Sequence, residues 1–261
     1  MTVGVVFAFV FGLALGSFLN VCIYRVPLKK SIVRPPSSCP NCGAGIRFYD
    51  NIPVISYILL LGRCRHCRTR ISPRYPLVEF ITGLLSLALF IEFGLSVKTI
   101  FLFLFTAALI VIAFIDLQHK IIPDVISLPG ILVGVAFSFL PHAGVSPVDA
   151  LIGVVGGGGF LFLVGMVFEK VTGREGMGGG DVKLLAMIGA WMGWKALPFI
   201  ILISSLSGAV LGGLSLAVSR QGMRSRIPFG PFLALGALLF LFFGDEIVLW
   251  FYRLGGGVKG R

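Results

Sequence analysis

The chain has 261 residues, of which 57% are hydrophobic and only 13% charged. That composition excludes a soluble domain of this length and points to a polytopic membrane protein. The net charge of +11 reads as topology signals at lipid headgroups, and no nucleic-acid partner is expected.

A membrane crossing needs about 20 mostly apolar residues. Apolar runs and their breakers place spans near 3–24, 77–94, 98–116, 124–141, 148–169, 182–196, 197–218 and 230–252. The expected fold is therefore all-α, with about eight transmembrane helices and a small zinc-ribbon-like cytoplasmic insert. Seven spans would result if the sixth and seventh merged. Their division rests on Trp191-Met192-Gly193-Trp194-Lys195, an aromatic and basic cluster of the kind found at interfaces. In domain terms this gives a first span (1–25), the insert (26–76), a transmembrane domain (77–252) and a short tail (253–261).

The opening segment has no basic stretch and no small-x-small cleavage site, so it reads as a retained span. Cys22, alone on it, reads as a small buried hydrophobe. The insert carries Cys39-Pro40-Asn41-Cys42 and Cys64-Arg65-His66-Cys67. Two C-x2-C knuckles at this separation match a tetrahedral zinc site, each supplying two thiolates. A segment of about 50 residues with few large apolar side chains needs such a staple. Reduced cytoplasmic thiols favour zinc over disulfides. Four thiolates leave no open coordination position, so the metal is structural. His66 reads as solvated.

Glu79 opens the second span, either supporting a site or serving as a helix-terminal charge. Asp116 closes the third span, where the helix dipole disfavours a negative charge. It is therefore either a functional carboxylate or an interfacial one hydrated among headgroups. Asp124 follows Pro123 in the first turn of the next span and reads as structural. The run Gly156–Gly159 suggests close helix packing. Asp181 follows Gly178, Gly179 and Gly180 just ahead of an apolar run. An N-cap would explain it, but with Gly176 the glycines also suggest an unwound stretch that could hold an extended peptide beside the carboxylate. Lys183 either acts on Asp181 or snorkels to headgroups. Arg220–Arg226 reads as a membrane anchor. No serine-hydrolase, zincin or P-loop motif is present.

Charge placement orients the spans. Most of the 22 Lys and Arg, ten of them between 25 and 76, fall on one side if the loops alternate. The positive-inside rule then places 25–76, 117–123, 170–181 and 219–229 in the cytoplasm, with both aspartates.

The text Asp116-Leu117-Gln118-His119-Lys120-Ile121-Ile122-Pro123-Asp124, paired with Gly-x-Gly-Asp at 178–181, resembles the type IV prepilin peptidases, an intramembrane aspartyl protease family. Gly16-Ser17-Phe18-Leu19-Asn20-Val21 and Arg74-Tyr75-Pro76-Leu77-Val78-Glu79 are similar to theirs as well, as is the cysteine insert. The resemblance covers nearly the whole chain, with 197–261 matching mainly in hydropathy. It implies Asp116 and Asp181 as the catalytic pair, with Gly178–Gly180 beside the substrate. It further implies a multi-pass protein of the bacterial inner membrane whose active site faces the cytoplasm. There it would cut basic leaders from prepilins or pseudopilins. A second activity follows from the same resemblance: N-methylation of the new N-terminus from S-adenosyl-L-methionine, at a site the sequence does not reveal. Three alternatives remain at this stage. Presenilin-like GxGD proteases carry Tyr before the first aspartate, where Ile115 stands here. A proton or cation transporter would show repeat symmetry, and none is evident. The third is a non-catalytic zinc-bearing assembly factor.

Overall fold

The computed structural model describes residues 2–141, 143–173, 178–218 and 228–254. Gly176, Arg174, Arg220, Arg224, Arg226 and most of the tail therefore lie outside the described residues. The described chain is helical, apart from the insert and the connections. Its helices are α1 (Thr2–Arg25), the short α2 (Ile55–Leu59), α3 (Arg74–Phe93), α4 (Val97–His119), α5 (Asp124–Phe137), α6 (Pro147–Thr172), α7 (Gly179–Met192), α8 (Leu197–Val218) and α9 (Gly230–Leu254).

Eight of these nine lie at the expected spans, and α2 belongs to the insert. Among the described residues, five segments are long and apolar enough to cross a membrane: α1, α3, α4, α6 and Trp194–Leu211, which includes most of α8. The protein is an integral membrane protein. Helices α5 and α7 have 14 residues each, about 21 Å at 1.5 Å per residue, against a hydrocarbon core of about 30 Å. Gly193, with φ 74°, ends α7 and separates it from α8 through the 3-10 turn Trp194–Ala196. Trp191 of the aromatic and basic cluster packs inside the protein. It is buried, donates to the Gly130 carbonyl at 2.8 Å and stacks on Phe137.

The chain divides into two compact units, Met1–Ile115 and Asp116–Arg261, a boundary that falls inside the 77–252 segment. In the first, α1 and α3 pack along a seam of small residues. A Cβ at Gly12 would lie 2.6 Å from the Ser86 Cβ, and Ser86 Oγ donates across the seam to the Ala8 carbonyl. Such contact replaces the hydrophobic drive that lipid does not supply. In the second unit, α6 meets α7 most closely at Gly153, where an added Cβ would lie 2.2 Å from the Gly189 carbonyl oxygen. Within the Gly156–Gly159 run, Gly157 makes a comparable approach to Leu185, whereas Gly159 faces open space.

Candidate active site and metal centre

Asp116 lies in the last turn of α4, only 5% exposed. Its Oδ2 accepts the backbone N–H of Gly230 at 3.0 Å. Gly230 is the first residue of α9, so the carboxylate faces the positive end of a helix other than its own. That offsets the unfavourable dipole of α4. Asp181 is the third residue of α7, with Gly178 at the N-cap. Its carboxylate turns back onto the Gly178 backbone, in the manner of the acidic member of a capping box. Both carboxylates thus meet helix N-termini.

The two are also neighbours. The charge of Asp116 acts on Asp181. Ile122 links their surroundings, because its side chain would meet a Cβ added at Gly180 (2.9 Å) and one added at Gly230 (3.3 Å). The glycines expected to form an unwound stretch are ordered differently. Gly178 is extended, with φ −71° and ψ 137°, and Gly179 and Gly180 begin the helix. None of the three has a positive φ. Gly180 matters for closeness to Ile122, while a Cβ at Gly179 would meet nothing within 4 Å. Lys183 pairs its Nζ with Asp124 at 2.7 Å, and both side chains are exposed.

Gly230 could not be found from the sequence. It contributes a main-chain N–H, and 114 positions separate it from Asp116.

In the other unit, Cys39, Cys42, Cys64 and Cys67 bring their Sγ atoms within 4.8 Å of one another. The Cys39 and Cys67 sulfurs are 3.8 Å apart. Tetrahedral zinc with Zn–S of about 2.3 Å requires sulfurs about 3.8 Å apart, so the donor set fits this metal. The knuckles share one backbone design. The Cys39 N–H donates to the Ala44 carbonyl and that of Cys64 to the Thr69 carbonyl, closing the bridges Ser38–Gly45 and Arg63–Arg70. Each loop turns through a left-handed residue, Gly43 (φ 70°) and Arg68 (φ 58°). Asn41 Nδ2 crosses between the knuckles to Thr69 Oγ1 at 2.8 Å. Hydrogen bonds from the Thr69 hydroxyl and backbone, with Asn41, draw the Cys67 thiol down to about 5. Although the Ala44 backbone favours its thiolate, loss of solvent and the neighbouring cysteines push Cys42 up to about 11. A divalent cation would hold all four as thiolates. His66 is exposed and outside the cluster.

Residues 10–93 match the bacterial peptidase A24 N-terminal domain, and residues 103–213 match the type IV leader peptidase family. Among similar proteins is a prepilin leader peptidase/N-methyltransferase of Pseudomonas putida, 40% identical over 92% of this chain and 91% of its own. Proteins of the same name are 39% identical in Burkholderia pseudomallei strain 1026b (96% of this chain, 88% of that one) and in Pseudomonas aeruginosa (94% and 92%). No solved structure matches. The paired carboxylates, the cysteine knuckles and matches spanning both units place the chain in one lineage: it belongs to the type IV leader peptidase family.

Proposed function

We propose that this protein is an aspartyl endopeptidase of the bacterial inner membrane that removes basic leaders from type IV prepilins or pseudopilins. It also N-methylates the new N-terminus. The observation that carries the peptidase reading is the placement of Asp116 and Asp181, each at a helix N-terminus, with the charge of Asp116 acting on Asp181. Two carboxylates that share one proton supply base and acid together. The ionised one takes a proton from the attacking water. The protonated one donates to the scissile carbonyl and then to the leaving amine. The shared proton belongs to the pair, so the roles are not divided between them.

The substrate segment needs to be extended where it is cut, because helical backbone protects its own carbonyls. Gly178, extended and exposed ahead of α7, lies beside Asp181 and suits that contact. The excess of basic residues around the aspartates' end of the spans supports a cytoplasmic site in contact with anionic lipid. Cys39, Cys42, Cys64 and Cys67 would hold Zn²⁺, which cross-links the two knuckles. S-adenosyl-L-methionine would supply an electrophilic methyl group.

The test is cleavage of a prepilin by purified protein. Asp116→Asn and Asp181→Asn should each abolish processing with membrane insertion intact. Near-normal processing by either variant would overturn the assignment.

A further inference from the structure

A second buried carboxylate lies in the first unit. Glu79, on the second turn of α3, is 8% exposed, and among the described residues no ion pair neutralises it. It accepts the backbone N–H of Val54 at 2.7 Å, where the insert runs through a positive-φ conformation (φ 61°, ψ −48°). For a β-branched residue that shape is strained, and strain of this kind concentrates at functional sites. Ser17 of α1 interacts with the same carboxylate. Gly16 gives α3 its close approach, since a Cβ there would lie 2.6 Å from the Glu79 Cα. One turn along, Asn20 is 3% exposed and donates to the carbonyls of Gly16 and Tyr75. Its Oδ1 is buried and has no hydrogen-bond partner. An orphaned buried acceptor carries an uncompensated desolvation cost and calls for an explanation.

Beside these groups is a cavity of ≈ 280 Å³ between α1 and the insert, lined by Ser17, Phe18, Arg25, Val33, Ser37 and Asn51 among others. Small-molecule sites combine apolar walls with a few convergent polar groups. Ser17 belongs both to this cavity and to the surroundings of Glu79. Arg25 holds the wall in place through the carbonyls of Ser31 and Pro35. Glu79 and Asn20 lie behind Ser17 and not in the wall itself. A carboxylate that no described side chain neutralises favours a positive charge on that side, while Arg25 in the wall suits a negative group on the same ligand.

We infer that Ser17, Asn20 and Glu79, with the adjoining cavity, form the site for the sulfonium methyl donor, apart from the aspartate pair. The inference rests on the methyl-transfer half of the proposed function and gives it a place. The substrate's terminal ammonium first loses a proton to solvent. The amine lone pair then forms the N–C bond as the C–S bond breaks, with that electron pair staying on sulfur. The products are a neutral thioether and an N-methyl ammonium. Glu79, held against the wall residue Ser17, places its negative charge behind the position of the donor's sulfonium.

The experiment measures S-adenosyl-L-methionine binding by calorimetry, using full-length protein in lipid nanodiscs. Glu79→Gln keeps an oxygen able to accept the Val54 N–H and removes only the charge. It should weaken binding roughly tenfold or more, the loss of one charge-assisted contact. Ser37→Trp, which fills the cavity from the insert side, should abolish binding. Prepilin cleavage by both variants should match that of the unaltered protein, which shows that they fold. Donor binding within a factor of about two of the unaltered protein for Glu79→Gln would overturn the site. A defect confined to an amine-terminated pilin peptide would also overturn it, by making the acceptor amine the occupant. Failure of the unaltered protein to bind the donor or to methylate a cleaved pilin would instead remove the methyl-transfer reading on which the inference rests.

Discussion

At Gly230 an added Cβ would lie 2.7 Å from Asp116 Oδ2 and 3.3 Å from the Ile122 Cδ1. Either the carboxylate or the Ile122 side chain would need to shift, and the carboxylate is the group that must stay in place. Gly230→Val should therefore depress prepilin cleavage strongly while the protein still inserts, with Asp116 and Asp181 both present. Cleavage at the unaltered rate would show that the α9 N-terminus does not position Asp116. Gly180→Val brings the same kind of collision with Ile122, from the side of the second aspartate, and should also lose cleavage. Asp124 offers the contrast. Its partner Lys183 is exposed, and exposed pairs contribute about 0–1 kcal/mol. Asp124→Asn should keep substantial cleavage activity and lose no more than about 1 kcal/mol of stability in a denaturation series. Both aspartates were legible in the sequence, because an ionisable residue beside an apolar run stands out. The Asp124–Lys183 pair was not, since 59 positions separate its members and neither carries a local signal.

Among the elements, the cysteine knuckles were the easiest to read. Their cysteines are set by short local spacing, and the structure needs only two similar turns to bring them together. Purified protein should contain about one zinc per chain, and a variant with all four cysteines changed to serine should contain none. Retention of full zinc by that variant would place the metal elsewhere. Arg68 occupies the left-handed position that glycine fills in the first knuckle. That conformation costs a non-glycine residue about 1–2 kcal/mol. Arg68→Gly should recover up to about 1 kcal/mol of it, seen as later zinc release on heating, since glycine also gives up more chain entropy on folding. The insert has a pH dependence of known sign as well. Arg65 donates to Asp50 from both Nε and Nη2 and holds its carboxyl below the usual range. A group whose folded pKa is depressed contributes stability above its unfolded value of about 3.9, and loses it as pH falls through the folded value. Asp50→Asn should thus be less stable than the unaltered protein at neutral pH, with the gap narrowing below about pH 4. A gap unchanged across that range would show that the pair is not the source. The glycines before Asp181 were harder to read. Their composition permits an unwound turn, yet a helix can equally begin on glycine once an N-cap carbonyl and an acidic third residue are supplied.

For the molecule as a whole, the division between Ile115 and Asp116 has a chemical counterpart. Every group assigned to cleavage, from Asp116 through Gly230, lies in the second unit. The four-cysteine cluster and the Glu79 cluster lie in the first. The spans could be read from hydropathy because lipid imposes it along the chain. The grouping could not, because it depends on which small-residue seams close. If the units divide the chemistry, each activity can be removed alone. Asp116→Asn should fail to cut a prepilin yet still methylate a pilin that has already been cleaved, because methyl transfer needs a free amine and no paired carboxylates. Stripping zinc with a chelator should act in the opposite sense. It loosens the knuckles that form part of the first unit, so methylation should fall well before cleavage does. Measuring both products from the same samples, across a chelator series, distinguishes this from general unfolding. Parallel loss of the two activities would mean that the insert supports the whole protein. Loss of methylation by Asp116→Asn on a pre-cleaved pilin would mean that one site serves both reactions.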